Sequence, residues 1–223
     1  MRTARSEYLG RVYENRGLLS LVDLVDQGHH SVLDVGCGNG ANMCLLAQRG
    51  HRVVGITLSE AEAHLVASQG FECHVADIAE AEPPFPAQSF DALLFSHVLE
   101  HLAWPETVLR RYGRVLRPGG GVYVALPNVL HIVLRWQFLR GRFRYTEMGL
   151  MDRTHLRFFD FDSARKLVEQ AGFEVVVHRG VGQCPMGPAR KLLPESCSAV
   201  DRWCSRLWPH LFAIHILIAA RRA

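Results

Sequence analysis

From Ser31 onward the chain alternates between short runs rich in β-branched residues and helical stretches closed by glycine or proline, and that rhythm restricts the folds open to it. Ser31–Val35, Val53–Ile56, Phe71–Ala76, Phe90–Phe95 and Val122–Leu126 read as strands, with helices over Ala41–Arg49, Glu60–Ser68 and Pro105–Leu116 between them. Such alternation packs as parallel strands joined by right-handed crossovers, the α/β class. Arg117-Pro118-Gly119-Gly120 stops the helix before the fifth strand. An amphipathic helix over Ser6–Asp26 precedes this core; a helix over Ser163–Ala171, a strand over Phe173–His178 and a terminal strand within Leu211–Ala220 follow it. Between them, residues 127–160 form an insert rich in aromatics and arginine, while Gly180–Pro209 has no clear pattern.

With 223 residues, 48% of them hydrophobic, the chain suits one domain spanning 1–223 that carries the insert as a lid over an acceptor site. A formal charge of +3, with Lys166 and Lys191 as the only lysines, argues against a nucleic-acid binder. Cys37, Cys44, Cys73, Cys184, Cys197 and Cys204 form no C-x-x-C pair and have no histidine at zinc-ligand spacing, so reduced thiols and no metal are expected. The first residues lack a signal-peptide pattern, and the last apolar run is about half of what a bilayer span needs. The expectation is a soluble, cytoplasmic protein.

Gly36-Cys37-Gly38-Asn39-Gly40 lies between the first strand and a helix N-terminus, where absent side chains let a ligand approach free backbone N–H groups. A nucleotide-like cofactor is expected there. The spacing Gly36-x-Gly38-x-x-Ala41 also satisfies a looser dinucleotide fingerprint, which keeps an NAD(P)-dependent oxidoreductase among the readings. Asp34, inside the strand, is costly unless it meets a positive or hydrogen-bonding group, and a cationic ligand supplies one. Polar residues Thr57, Asp77 and Ser96-His97 stand at the ends of the second, third and fourth strands, where the rest of such a ligand would lie.

Val32-Leu33-Asp34-Val35-Gly36-Cys37-Gly38-Asn39-Gly40 resembles motif I of the class I S-adenosylmethionine-dependent methyltransferases. Ala76-Asp77-Ile78, Phe90-Asp91, Val98-Leu99-Glu100-His101-Leu102 and Leu116-Arg117-Pro118-Gly119-Gly120 follow in that family's order. Leu126-Pro127-Asn128, Leu139–Phe143 and Asp152–Phe159 are similar to the methyltransferase-domain group that includes MetW-like proteins and enzymes of polysaccharide and secondary-metabolite pathways. The resemblance implies a Rossmann-like seven-stranded, mostly parallel sheet with helices on both faces and an antiparallel last strand. It also implies S-adenosyl-L-methionine as cofactor, with Asp34 engaging the methionine ammonium, Gly36, Cys37 and Gly38 passing along it, Asp77 accepting from the adenine amino group and Ile78 packing on the ring. Leu58, Ser96 and His97 complete the implied cofactor set. Relatives carry Asp or Glu at the end of the second strand for the ribose hydroxyls; here Thr57 stands, and Ser59 or Glu60 would share that task.

Methyl transfer to a hydroxyl needs a base, and a histidine suits that role near neutral pH. His101, after the fourth strand, is the first candidate, and His155, in the insert, the second. As plain structural residues they would bond Glu100 or backbone, and order the Asp152-Arg153-Thr154 turn, respectively. His97 reads as a lining residue and Cys37 as packing. Arg135, Arg140, Arg142 and Arg144 beside Trp136, Phe138, Phe143 and Tyr145 fit a lid helix with solvated arginines better than contact with a membrane surface. Together with Arg153 or Arg157 they would alternatively bind a phosphate or carboxylate on the acceptor. The expected function is O-methylation of a small or sugar-containing metabolite; a non-catalytic protein that binds S-adenosylmethionine and serves as a partner or regulator is the alternative.

Overall fold

The computed structural model describes residues 15–186 and 194–222. Seven strands form one sheet: β1 (Ser31–Val35), β2 (Arg52–Thr57), β3 (Glu72–Val75), β4 (Phe90–Ser96), β5 (Leu116–Pro127), β6 (Phe173–Val181) and β7 (His215–Arg222), in the order β3-β2-β1-β4-β5-β7-β6. β1 to β5 pair in parallel, and β7 runs antiparallel to both β5 and β6. The helices are α1 (Leu19–Val22), α2 (Ala41–Ala47), α3 (Glu60–Ser68), α4 (Pro105–Tyr112), α5 (Ile132–Leu139), α6 (Phe161–Gln170), α7 (Pro194–Leu207) and α8 (Pro209–Phe212).

Strand side chains alternate between the two faces. Leu33, Val35, Leu93, Phe95, Val122, Val124, Ile216 and Ile218 pack on one side with Leu109 and Tyr112 of α4 and Leu167 and Val168 of α6. Val32, Ala92, Leu94, Ala125 and Leu217 pack on the other with Leu21 and Val22 of α1, Met43 and Leu46 of α2 and Val66 of α3. Both faces of the sheet are therefore covered, as near-continuous apolar runs in a parallel sheet require.

Several boundaries differ from the sequence reading, among them α4, which ends at Tyr112 rather than Leu116, and β6, which runs on to Val181 rather than stopping at His178. Residues 6–14 of the opening helix lie outside the described residues, and of the rest only Leu19–Val22 is α-helical, because Gly17 (φ +74°) turns under an N–H bond to the Asn15 side chain. Arg117–Gly120 does not precede β5 but belongs to it, absorbed as a register shift against Phe90 and Ala92. α6 starts two residues early, since Asp160 and Ser163 cap it reciprocally. Leu211 and Phe212 are helical, so β7 begins at His215. α7 and α8 occupy the described part of the unassigned stretch.

Within 127–160, Val129 N–H bonds the Phe159 carbonyl, and α5 starts under the His131 side chain. The N–H groups of Leu156 and Arg157 both bond the Glu100 carbonyl (2.8 and 3.0 Å), stitching the end of the insert to the turn after β4. No helix among the described residues is long and apolar enough to cross a membrane.

Candidate functional site

The chain leaves β1 toward β2 and β3 on one side and returns through β4 and β5 on the other, so the carboxyl ends of β1 and β4 flank a topological switch point, where open α/β sheets bind ligands. A cavity of about 660 Å³ opens there. Because β7 runs the other way, its first residue, His215, reaches the same end of the sheet and lines the cavity.

Gly36, Gly38 and Gly40 all have positive φ (79°, 54° and 79°), a conformation nearly closed to other residues. The turn is pinned by Gly36 and Cys37 N–H groups on the Ile56 carbonyl. A side chain at Gly36 would collide with Val98, 2.3 Å from its Cγ2. Behind this turn Asp34 is fully buried, and neither carboxylate oxygen has a hydrogen-bond partner among the described residues. Burial pushes its carboxyl up to about 7. Asp34 does not line the cavity, nor does Cys37, whose Sγ lies 3.7 Å from that of Cys73. The hydrogen bond to Cys73 and burial both raise the Cys37 thiol, which suits a packing role. None of the five cysteines with described side chains is in a disulfide.

On the β2–β3 side, Thr57, Leu58, Asp77 and Ile78 line the cavity as the sequence predicts. The structure adds Glu62. The Thr57 hydroxyl donates to Glu62 Oε2 at 2.5 Å, and Ser59 Oγ accepts from the Glu62 N–H. Glu62 is buried and lines the cavity, whereas Glu60 is exposed and does not. A carboxylate thus stands at the end of β2, carried by the first turn of α3. Ser59-x-x-Glu62 has the form of a capping box, and that spacing was the signal for it.

On the β4–β5 side, Ser96, His97, Glu100, His101 and His155 line the cavity. His97 adopts φ +56°, unusual without glycine, and lies between two partners. Its Nδ1–H donates to Glu100 Oε1 (3.2 Å), which can only accept, and its Nε2 meets His215 Nδ1 at 3.0 Å. Burial pushes His215 down to about 4, so it is the neutral partner in this ring-to-ring hydrogen bond. Glu100 is 1% exposed. Burial would raise its carboxyl, yet the His97 hydrogen bond and the neighbouring His97 and His101 rings prevail and hold it below the usual carboxylate range. Its second oxygen, Oε2, has no hydrogen-bond partner among the described residues.

His101 Nδ1 lies 3.2 Å from the Thr154 carbonyl and 3.1 Å from the Thr154 hydroxyl, which itself donates to Asp152 Oδ1 at 2.7 Å. The carbonyl can only accept, so Nδ1 carries the proton and Nε2 is the basic nitrogen. His155 packs edge-on against His101, ring centres 4.9 Å apart. Burial lowers its imidazole, with the Glu100 charge pulling the other way. The two histidines expected at the acceptor are brought together, and Glu100 and His215, which the sequence reading left aside, join them.

The arginines behave differently. Arg135 donates to the Leu130 and His210 carbonyls, Arg140 lies over the Trp136 ring, Arg153 pairs with Glu147, and Arg157 holds the Ala103 carbonyl. None of the six insert arginines lines the cavity. Met148 and Leu156, both exposed, stand at its edge instead.

Residues 6–178 match the family described as Methyltransferase domain. A ubiquinone biosynthesis O-methyltransferase of Hahella chejuensis is 36% identical over 106 residues, covering 44% of this chain and 43% of that protein. A tRNA 5-carboxymethoxyuridine methyltransferase of Escherichia coli K12 is 33% identical over 167 residues, covering 67% and 62%. The chain spans about half the length of these curated relatives. In fold it is similar to a SAM-dependent methyltransferase from Archaeoglobus fulgidus, with a TM-score of 0.64 at 20% identity over 88% of this chain and 87% of that one. The glycine turn, the partnerless carboxylate behind it and acidic groups at the ends of β2 and β3 fit S-adenosyl-L-methionine, a ligand that joins an ammonium, a ribose and an adenine. The chain belongs to the class I S-adenosylmethionine-dependent methyltransferases.

Proposed function

We propose that this chain transfers a methyl group to a hydroxyl oxygen of a small acceptor, sugar-containing metabolites included, and that residues 127–160 close the acceptor end of the cavity. Bound S-adenosyl-L-methionine supplies a methyl group on a positively charged sulfur. Gly36 and Gly38 let the backbone approach the cofactor, Asp34 offers the compensating charge, Thr57 and Glu62 take the ribose hydroxyls, and Asp77 with Ile78 takes the adenine. The acceptor then lies against the β4–β7 side of the cavity, between the turn after β4 and the insert.

The observation that carries this reading is the His101–His155 pair. Thr154 fixes the tautomer of His101, leaving Nε2 as proton acceptor, and Asp152 fixes Thr154. A group so oriented can take the hydroxyl proton as the oxygen attacks, and a positioned base contributes about 10²–10⁴-fold. An amine acceptor, once neutral, has less need of it. The apolar edge at Met148 and Leu156 favours a small organic acceptor over a polyanion.

Labelled methyl transfer to panels of hydroxylated, amino and carbon-acid acceptors tests the proposal. Label is expected on oxygen, and His101→Ala and His155→Ala are expected to lower kcat by about 10²-fold or more with S-adenosylhomocysteine binding unchanged. Exclusive transfer to nitrogen, or wild-type rates in both variants, overturns it.

A further inference from the structure

Glu100, His101 and His155 each offer a ligand atom, and these atoms all lie within 4.8 Å of one another, the one such grouping among the described residues. We propose that these three side chains bind a divalent transition-metal cation at the acceptor end of the cavity, and that the cation holds an acceptor carrying a hydroxyl beside a second oxygen. The inference rests on the methyl-transfer reading for its acceptor, though not for its metal; with the cation bound, His101 Nε2 is a ligand and no longer takes the hydroxyl proton.

Three observations carry it. Glu100 is almost wholly buried, its Oε1 is taken by His97, and Oε2 is left without a hydrogen-bond partner on a residue that lines the cavity. A buried carboxylate oxygen in that position calls for a cation or a donor. His155 Nδ1 is likewise buried without a hydrogen-bond partner among the described residues. The outer supports also have the form metal sites use, in which ligands are oriented by hydrogen bonds from behind. Asp152 and Thr154 fix His101 with its proton on Nδ1, and His215 and His97 fix Glu100 through Oε1.

Ligand atoms about 2.1 Å from a tetrahedral ion are about 3.4 Å apart, so the cluster closes on a metal through side-chain rotation of about 1 Å. Two imidazoles and one carboxylate favour zinc, manganese or cobalt over magnesium or calcium. Three protein ligands leave one position of a tetrahedral ion open, and expansion to five-coordination accommodates the acceptor's two oxygens. Spacing rules applied to the sequence miss the set because two ligands are adjacent in the chain and the third comes from the insert, docked onto the Glu100 carbonyl through the N–H groups of Leu156 and Arg157.

The test uses the whole chain, stripped with a chelator and titrated with Co²⁺. Metal retained after dialysis and visible cobalt absorption are the readouts. One Co²⁺ per chain is expected in the wild type and none in Glu100→Gln or His155→Gln. S-adenosylhomocysteine binding checks that each variant is folded, and His155, outside the sheet, serves if Glu100→Gln does not fold. No retained Co²⁺ in the wild type, or equal retention in a folded variant, overturns the site. Methyl transfer that persists after chelation, with no ion bound, overturns the cation's hold on the acceptor and leaves the proton-acceptor reading standing. Retention of Co²⁺ with no transfer to any acceptor supports the site and overturns the proposed activity instead. A vicinal diol methylated at least tenfold faster than its mono-ol with Mn²⁺, and no faster without it, supports the acceptor class; equal rates overturn that part.

Discussion

Asp34 holds a proton in the folded, ligand-free protein that the unfolded chain gives up near 3.8, because burial lifts its carboxyl to about 7. The stability linked to it is complete at pH below about 4 and is lost as pH rises through about 7. Asn fills the same space without titrating. Asp34→Asn is therefore expected to flatten the fall in thermal midpoint of the ligand-free protein between about pH 4 and pH 7. A ligand carrying an ammonium prefers the ionised carboxylate, so wild-type affinity for S-adenosylhomocysteine is expected to rise through the same window while that of Asp34→Asn stays level and weaker. Calorimetry at a series of pH values checks both; parallel curves for the two proteins refute the linkage. Residues like this one are legible in a sequence because the backbone fixes them: a carboxylate inside a buried strand, followed by glycines at φ values other residues avoid, has few interpretations. That His101 and His155 face one cavity was legible from their places after β4 and in the insert. Their grouping with Glu100 was not, since no local pattern tells which carboxylate oxygen will be left over.

At the scale of elements, the strand–helix joins decide what the site holds. Ser59 caps α3, and the helix thereby turns its third residue, Glu62, back over the end of β2, where Thr57 donates to it. Two elements thus bring a hydroxyl and a carboxylate together at the end of β2, where relatives are expected to place one acidic residue. Glu62→Gln keeps the shape and removes the charge; S-adenosylhomocysteine binding is expected to weaken by about tenfold, since hydrogen bonds to charged groups contribute about 1.5–3 kcal/mol. Free methionine, which has no ribose, serves as the control and should compete equally in both proteins. An unchanged S-adenosylhomocysteine affinity counts against Glu62 as the ribose group. The sequence reading looked to Ser59 and Glu60 because it followed chain proximity, whereas the helical turn directs Glu60 outward and Glu62 inward. The boundary of β7 failed for a related reason: Leu211 and Phe212 have strand-like composition, but Pro209 after Trp208 starts a helical turn and delays the strand to His215.

Over the whole molecule, the alternation of elements was enough to give a parallel sheet covered on both faces, because both follow from burying apolar runs, whereas the seven-strand count and the reversal of the last strand were legible only through the family resemblance. The position of β7 within the sheet is the costly part of the topology. It pairs with β5 and β6 on its two edges, and Ile216, Leu217 and Ile218 are fully buried. Removing residues 215–222 strips a central strand from both cores, and the truncated chain is expected to lose cooperative thermal unfolding and to aggregate, read by circular dichroism and light scattering. A truncated chain that stays monomeric and melts cooperatively contradicts this. The strand also brings His215 to rest against His97. During translation, then, a chain can carry every cofactor-facing glycine and carboxylate and still lack the wall behind its acceptor end.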